Sequence, residues 1–478
     1  MKVDYLQLKQ SYHFQDLKIN FQSESHCVSL ILGDQASGKT AIVKNIYQAL
    51  TWFSARFKDL RSAGVVMLDQ DIMQQRSQSK IDIGVRFSSE IGQLPEGSEQ
   101  PLQQLNSCHW QLYKTLGPGD VGSSRVETKQ LEQCIGLYYK ATQQDPLQGL
   151  PMIAYYPSER FINEINLLSK NNPSIFQSYA AYEYAAIPFT TFARFFEWLR
   201  EVSDIENAHS ALLFQQLIEA KPLPSEETFS EAQREDHLDA ALSQIHAQQH
   251  SPHLNALKNC LSTIFPELTD IYIDYHHKLQ LMVCYADQTF LYQQLPSSLK
   301  IWIALVGDVV RRLCLLNPLS LYPCQEGEGI LLIDEIDQGL DQDNCSMILD
   351  RLHQAFPQLQ IIATGQRSEL LDNAHAFQYF RLEDQHLTPL KHQETWQHYE
   401  DLYQQLQQGS NNPHHVNNPL NAGGTQSVGA CEEALQEEQS KAQLIFEQIQ
   451  QLSEIEQHEL SRLMHVDDDP SLPVSSCS

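Results

Sequence analysis

The feature that most constrains this chain is the segment Gly33–Thr40, which fits the pattern G-x-x-x-x-G-K-[ST] at every fixed position. The apolar run Cys27–Leu32 precedes it and has the length of a buried strand. Apolar side chains then recur at helical spacing from Val43 to Leu60. This strand–loop–helix order predicts a loop that binds phosphate, and the alternative is a Gly-Ser turn before an ordinary helix.

The chemistry of such a loop comes from its backbone and from two side chains. Backbone N–H groups of the loop and of the following helix converge on a phosphate, while Lys39 adds a mobile positive charge. The Thr40 hydroxyl is suited to bind Mg²⁺. The residues predicted to contact nucleotide in this first motif are Gly33, Asp34, Gln35, Ala36, Ser37, Gly38, Lys39, Thr40 and Ala41. ATP and Mg²⁺ are therefore the predicted cofactors.

A second motif follows about 300 residues later, where the apolar strand-like segment Gly329–Glu335 ends in two adjacent carboxylates. Asp334 is predicted to hold Mg²⁺ through water or together with Thr40, and Glu335 to orient or deprotonate the attacking water. Two neighbouring carboxylates at a strand end are costly unless a cation or a water chain uses them. Together the two motifs predict an α/β fold of the P-loop ATPase type.

Composition bounds the class of protein. The chain has 478 residues, which predicts two or three domains, or one domain with large insertions. Its 32 basic and 60 acidic residues give a net charge of −28. That charge opposes general nucleic-acid binding, and either solubility or a basic partner explains it. The 10 cysteines have no zinc-like spacing, and neither a signal peptide nor a membrane-spanning run is visible. The sequence therefore predicts a cytoplasmic protein without a membrane segment.

The order of these patterns predicts five segments. They are an N-terminal lobe of an ATPase head at 1–165, a helical insertion at 166–270, a C-terminal lobe at 271–395, a low-complexity linker at 396–430, and C-terminal helices at 431–478. Within the insertion, 221–251 is predicted to be polar and exposed. The acidic C-terminal helices are predicted either to dock on the ATPase head or to contact an oligomer neighbour or a partner protein.

Individual elements are predicted from alternation and helical spacing. Strands are expected at 5–8, 17–21, 65–68, 81–87, 109–113, 271–273, 279–283, 290–292 and 360–364, and a helix at 129–143. The segment Pro151–Arg160 predicts a buried strand that ends at Pro157. Arg160, just beyond it, is interpreted either as a phosphate or partner contact or as half of a surface ion pair.

Several segments resemble bacterial AAA-type ABC ATPases related to the RecF and OLD proteins. The matching segments are Ala154–Arg160, Phe195–Arg200, Ala304–Leu313 and Leu316–Pro318, and Ile336–Asn344 is similar to the D-loop of SMC-like heads. The long separation between the two nucleotide motifs is also typical of such heads. The resemblance covers roughly residues 1–390 and implies an ABC-type head with a mixed sheet and a helical insertion. Within this group the chain is similar to the ATPase subunit of the Septu anti-phage system, which is also found beside some retrons and pairs with an HNH-type nuclease.

The chain departs from this family at the signature segment. The family usually has Leu-Ser-x-Gly-Glu, which contacts the γ-phosphate held by the opposite subunit. This chain has Leu-Pro-Ser-Ser-Leu-Lys at Leu295–Lys300. Pro296 offers neither a hydroxyl nor an N–H group, and Ser298 adds bulk where a close backbone approach is needed. Ser297 is a substitute if the register shifts by one residue. The resemblance assigns the far side of the nucleotide site to Ser297, Ser298, Lys300 and Asp341.

Two further departures affect the near side of the site. Gln35 and Ala36 replace the family's Asn and Gly in the phosphate loop, although Lys39 and Thr40 are kept. Gln366 stands where the family has a switch histidine, and it cannot carry a proton or a charge as histidine can. Glu335 and Gln366 are the predicted catalytic residues. Because one lost transition-state contact costs about 10²–10³ in rate, we expect ATP binding with weak or absent hydrolysis.

These observations predict an ATP-binding regulatory subunit of an anti-phage defence complex. The resemblance implies a homo-oligomer formed through the ATPase heads, an HNH-type nuclease as partner, and nucleic acid contacted through the complex. The alternative is a DNA-repair-type ATPase, like RecF or SMC heads, that binds DNA directly. A scaffold without nucleotide is a third reading, which the intact Lys39, Thr40, Asp334 and Glu335 oppose.

Overall fold

The computed structural model describes residues 1–94, 106–117, 122–162, 178–182, 192–220, 252–276, 278–372 and 377–390. The linker predicted at 396–430, the C-terminal helices predicted at 431–478 and the insertion predicted at 221–251 lie outside these residues. No helix in the described ranges combines the length and the apolar character needed to cross a membrane.

The described chain alternates strands and helices. The strands are β1 Lys2–Ser11, β2 Phe14–Asn20, β3 Val28–Gly33, β4 Gln78–Arg86, β5 Ser107–Leu116, β6 Gly122–Glu127, β7 Met152–Tyr156, β8 Leu268–Asp274, β9 Gln280–Tyr285, β10 Gln288–Leu291, β11 Gly329–Ile333, β12 Leu359–Gly365, β13 Gln378–Glu383 and β14 His386–Leu390. The α-helices are α1 Lys39–Lys58, α2 Lys129–Gln144, α3 Ala193–Ala220, α4 Pro252–Ile264, α5 Ser297–Leu316, α6 Pro323–Glu326 and α7 Gln342–Ala355.

A six-stranded sheet in the order β14-β13-β3-β12-β11-β7 forms the centre of the fold. β13, β3, β12, β11 and β7 run parallel, and β14 is an antiparallel edge strand. β7, β11 and β12 are buried along their whole length, which explains why they read as continuous apolar runs. The predicted α/β class with a mixed sheet is confirmed.

The register of this sheet decides where the functional segments meet. Ile333 at the end of β11 pairs with Tyr156 at the end of β7 and with Ala363 of β12, and Gly365 pairs with Leu32 of β3. The chain therefore leaves all four strands at one edge of the sheet, where doubly wound folds bind their ligands. The two nucleotide motifs and the segment that follows β7 are brought together there.

Two antiparallel sheets flank this centre. One has the order β2-β1-β4-β5-β6, and the other is the meander β10-β9-β8. The strands predicted within β1, β2, β4, β5, β8, β9 and β10 are confirmed, as is the helix predicted at 129–143. Strands β6, β13 and β14 were not predicted. The residues Gly122–Glu127 of β6 lack apolar alternation, so pairing with β5 rather than local pattern makes them a strand.

The strand predicted at 65–68 is wrong. The backbone of this segment is bonded to side chains of α1 instead of to a neighbouring strand. The Val65 N–H donates to Thr51 Oγ1 at 2.8 Å, and its carbonyl accepts from Trp52 Nε1 at 3.1 Å. The Val66 carbonyl accepts from Gln48 Nε2 at 2.7 Å. Because these polar side chains satisfy the backbone, an apolar run of strand length remains a loop.

Helix α5 carries a buried group of charges into the core. Asp308 accepts from Arg311 Nε and from Arg312 Nε, each at 2.8 Å, and from the Tyr156 hydroxyl at 2.9 Å. Arg312 also donates to the Ala181 carbonyl. Burial alone would raise the pKa of Asp308, but the two guanidinium groups hold it below its usual range. This network joins α5 to the end of β7 through Tyr156.

We predict that Asp308→Asn lowers the free energy of unfolding by about 3–5 kcal/mol, because it leaves two buried arginines without their counter-ion. Urea unfolding at neutral pH measures this loss. Asp16→Asn is the matched control, since Asp16 pairs with Lys9 at 3.7 Å on the surface and such pairs contribute about 0–1 kcal/mol. Equal effects of the two substitutions would contradict the role given to the buried network.

Candidate nucleotide site

The loop between β3 and α1 has the backbone conformation of a phosphate loop. Gly38 has a φ of 107° and caps the start of α1. A Cβ atom on Gly38 would lie 2.2 Å from His13 Nε2 and 2.7 Å from Phe14 Cζ, so a side chain here would strain the backbone and displace these two rings. Ala36 has a φ of 63°, in the left-handed region that glycine adopts most readily. This conformation explains why the resembling family has glycine at that position.

Lys39 is the first residue of α1, and its side chain turns back onto the loop. Its Nζ donates to the carbonyl of Gly33 at 2.6 Å and to that of Asp34 at 2.7 Å. Burial lowers the pKa of Lys39, while Asp334 and Glu335 act in the opposite direction. The loop carbonyls thus hold the ammonium group beside the place where a phosphate would bind.

A pocket of about 310 Å³ opens above this loop. It is lined by Tyr12, Gln35, Ala36, Ser37, Gly38, Lys39, Thr40, Ala41, Lys44, Glu335 and Gln366. The structure therefore brings most of the first motif together with both predicted catalytic residues. Gly33 and Asp34 contribute their carbonyls to Lys39, and they do not line the pocket.

Asp334 follows β11 and is completely buried. Its Oδ1 accepts from the Thr364 hydroxyl at 2.6 Å, and the same hydroxyl oxygen accepts from the Glu335 N–H at 2.9 Å. Its Oδ2 is buried and has no hydrogen-bond partner among the described residues. A buried carboxylate oxygen without a partner is costly, and a bound cation would remove that cost.

These features fit a Mg²⁺ ion held together with a nucleotide. No three His, Cys, Asp or Glu side chains within the described ranges are grouped so that they could hold a metal ion alone. Mg²⁺ commonly uses one or two carboxylates together with phosphate oxygens and water, so such a group is not required. Asp334 and the pocket-lining Thr40 are the residues that would hold it, and the ion would neutralise charge on the transferred phosphoryl group.

Glu335 adopts a strained backbone conformation, with a φ of 46°. Its carbonyl accepts from Arg160 Nη2 at 2.9 Å, and its N–H group is bonded to Thr364. Burial raises the pKa of the Glu335 carboxyl, and the neighbouring charges of Asp334 and Asp337 raise it further. Non-glycine residues with positive φ persist only where the surroundings fix them, and they cluster at functional sites.

The switch position is fixed by Asp337. Its Oδ2 accepts from the N–H groups of Gln366 and Arg367, both at 2.8 Å. Arg367 in turn donates to the Leu340 carbonyl at 2.7 Å, so the turn after β11 and the turn after β12 are bonded to each other. The side chain of Gln366 is left exposed at the pocket wall.

Arg160 does not form the surface ion pair that was one of its two predicted roles. Its side chain is buried, and it donates to the Asp334 carbonyl at 3.1 Å, to the Glu335 carbonyl and to Gln338 Oε1 at 3.2 Å. Burial lowers its pKa to about 10, although the nearby carboxylates oppose this effect. The surface ion pair is therefore wrong, because the guanidinium faces backbone carbonyls inside the fold, and the phosphate or partner contact stays a prediction.

The residues expected on the far side of the site do not line the pocket. Ser297 is exposed in the first turn of α5, and Ser298 lies next to Gly339, where an added Cβ would be 3.0 Å from Ser298 Cβ. Lys300 donates to the Gln293 carbonyl at 3.3 Å. Asp341 caps α7, since its carboxylate accepts from the Asn344 N–H at 2.7 Å. Their contact with nucleotide stays a prediction, and it would require a second copy of the chain.

Sequence reasoning missed four residues of the site. Tyr12 and Lys44 line the pocket, and Lys44 Nζ donates to the Tyr12 hydroxyl at 3.1 Å. Thr364 bonds the Asp334 carboxylate and the Glu335 N–H group, and Asp337 bonds the N–H groups of Gln366 and Arg367. The Thr-Gly dipeptide at the end of an apolar strand and the second acid after Asp334 were visible signals, but neither indicates which backbone groups its side chain will bond.

The family of the chain is shown by its similarity to known proteins. Residues 6–268 match the protein family described as AAA domain. The chain belongs to this family. It is 25% identical to the Retron Ec83 probable ATPase of Escherichia coli, over 76% of this chain and 68% of that protein. It is 23% identical to the Retron Vc95 probable ATPase of Vibrio cholerae serotype O1 biovar El Tor, over 72% and 66%. The chain thus spans about two thirds of the length of both relatives.

One solved structure illustrates the overall likeness. It is a Smc head domain with an extended coiled coil bound to the C-terminal domain of ScpA, derived from Pyrococcus furiosus. The likeness has a TM-score of 0.44 and 14% identity, and covers 84% of this chain and 99% of that chain. The P-loop ATPase assignment rests on the family match and on the residues of the site.

We predict opposite outcomes for two substitutions in the loop. Gly38→Ala would add about 1–3 kcal/mol of backbone strain, besides the contact with His13, and should abolish ATP binding. Ala36→Gly would relieve about 1–2 kcal/mol of strain and lose about 0.4–1 kcal/mol through the unfolded chain, so stability and binding should stay close to wild type. Thermal unfolding and calorimetric titration with ATP measure both effects. A tight-binding Gly38→Ala variant would contradict the geometry described for the loop.

Proposed function

We propose that this protein is an ATP-binding regulatory subunit of a cytoplasmic anti-phage defence complex, and that it hydrolyses ATP slowly or not at all. The observation that carries the proposal is the composition of the pocket. The phosphate loop, Glu335 and Gln366 line it within one chain, with Asp334 buried beside them, whereas Leu295–Lys300 does not reach it. This half-site can hold ATP, and it lacks the contacts that a second subunit supplies.

Slow turnover follows from the residues offered by the far side and by the switch position. Pro296 caps α5 without a side-chain hydrogen bond, and it has no N–H group to give to a phosphate. Gln366 can accept or donate a hydrogen bond, and it cannot become a cation as a histidine can. Since each missing contact to transition-state charge costs about 10²–10³ in rate, two altered elements leave little hydrolysis. ATP would then act as a ligand whose presence is sensed.

The defence role is supported by the relatives and by the charge of the chain. Both curated relatives are described as retron probable ATPases. The net charge of −28 suits a basic partner, and the segments resembling the Septu ATPase subunit suggest that this partner is an HNH-type nuclease. We propose that the heads form a homo-oligomer around ATP and Mg²⁺, that the oligomer controls the nuclease, and that nucleic acid is contacted through the complex.

We predict that the wild-type protein hydrolyses ATP at least about a hundredfold more slowly than the typical enzyme rate of about 10 s⁻¹. Glu335→Gln should change ATP affinity little, because that carboxylate acts on the attacking water rather than on the ground state. Phosphate release and equilibrium binding measure the two quantities. A wild-type rate of ordinary magnitude that Glu335→Gln abolishes would overturn the proposal of a slow site.

A restoring variant tests the cause of the slow rate. We predict that Pro296→Ser, Ser298→Gly and Gln366→His together raise turnover about tenfold or more, since they return the missing contacts. Serine is a better helix N-cap than proline, so α5 should tolerate the change. The same variant carrying Glu335→Gln is the control and should stay inactive. An unchanged rate in the restoring variant would show that another feature limits turnover.

The partner is identified by purification from native cells with and without ATP. A basic nuclease bound to an oligomer of this chain is the expected result. Recovery of DNA alone, released by raising the salt concentration, would favour the alternative of a DNA-repair-type ATPase that binds DNA directly.

A further inference from the structure

We propose that Arg160 is the positioning residue of the acidic turn, and that it fixes the backbone of Asp334 and Glu335 so that Mg²⁺ can be bound with ATP. The proposal rests on the nucleotide-binding function proposed above. It assigns Arg160 no contact with nucleotide, because its guanidinium faces the carbonyls behind the two acids.

The geometry starts from the register of the central sheet. Because Ile333 pairs with Tyr156, the residues after β7 run beside the residues after β11. The Tyr156 carbonyl accepts from the Asp334 N–H at 2.9 Å, which continues the pairing by one residue. Arg160 then reaches across with both terminal nitrogens, Nη1 to the Asp334 carbonyl and Nη2 to the Glu335 carbonyl. A planar guanidinium is suited to this forked contact, and a lysine cannot reproduce it.

The two acids are held from both sides of their peptide backbone. Thr364 binds the N–H of Glu335 and the carboxylate of Asp334, while Arg160 binds their carbonyls. Gln338 closes the same turn, since its N–H donates to the Glu335 carbonyl at 3.1 Å and its side chain accepts from Arg160. These bonds maintain the positive φ of Glu335, which an unsupported glutamate would leave.

The cost of this arrangement argues for a role in the site rather than in general stability. Arg160 is only 8% exposed, and its Nε has no hydrogen-bond partner in the described part of the chain. A buried charge with an unsatisfied donor destabilises a fold, and a neutral side chain would avoid the loss. Proteins retain such violations mainly where function uses them. Arg160 brings the positive charge beside two carboxylates that otherwise repel each other.

The test compares ATP binding with and without Mg²⁺, using a fluorescent ribose-labelled ATP as the probe. Arg160→Gln removes the charge and the fork, and Arg160→Lys keeps the charge alone. Arg351→Gln is the matched control, since Arg351 also donates to a backbone carbonyl, that of Ile264 at 3.1 Å, and neither lines the pocket nor contacts the acidic turn. In EDTA we expect all variants to bind like the wild type. Mg²⁺ should increase the ATP affinity of the wild type and of the control equally. In both Arg160 variants we expect this increase to be about tenfold smaller.

Hydrogen exchange of the amides of residues 334–338 gives a readout that needs no nucleotide. We expect faster exchange there in both Arg160 variants and no change in the control. A full Mg²⁺-dependent gain in Arg160→Lys together with unchanged exchange would overturn the proposal. If wild-type protein bound no ATP, the proposed function would fail, and the exchange data alone would decide the role of Arg160. If Arg160→Gln did not fold, Arg160→Lys would supply both measurements.

Discussion

The parallel register of β3, β12, β11 and β7 is the constraint on which the rest of the structure depends. It aligns the carboxyl ends of four strands, so that segments far apart in sequence follow their strands at the same edge of the sheet. A shift of one residue would turn every side chain of the shifted strand to the other face of the sheet and separate Thr364 from Asp334. The buried aliphatic faces of these strands hold that register in place.

The site built on this edge contains much unfavourable local structure. Ala36 and Glu335 have left-handed backbone conformations, Lys39 and Arg160 are buried cations, and Asp334 carries an oxygen without a partner among the described residues. Each of these features opposes folding when taken alone. The apolar sheet and the helices packed on it supply the stabilisation that offsets them, and the two strained residues of the site lie in the turns that follow β3 and β11.

The site also has an asymmetry that bears on mechanism. The residues of the candidate nucleotide site are assembled inside one chain, whereas the first turn of α5 does not line the pocket, and its Ser298 lies next to Gly339 of the same chain. Under the proposed function, this arrangement would gain binding energy from ATP without the transition-state contacts that make an efficient hydrolase. The affinity for ATP would then favour one assembly state over another.

The sequence by itself determined the elements whose physics is local. The phosphate loop, the acidic strand end and the amphipathic helices follow from residue type and spacing over a few positions, so Gly33–Thr40 and Asp334–Glu335 could be found without coordinates. Tertiary structure decided which other segments these elements contact. Val65 and Val66 became a loop because α1 offered side chains to their backbone, and β6 became a strand because β5 offered an edge. Arg160 became an internal support because strand register, which no local pattern encodes, placed it beside the carbonyls of the two acids.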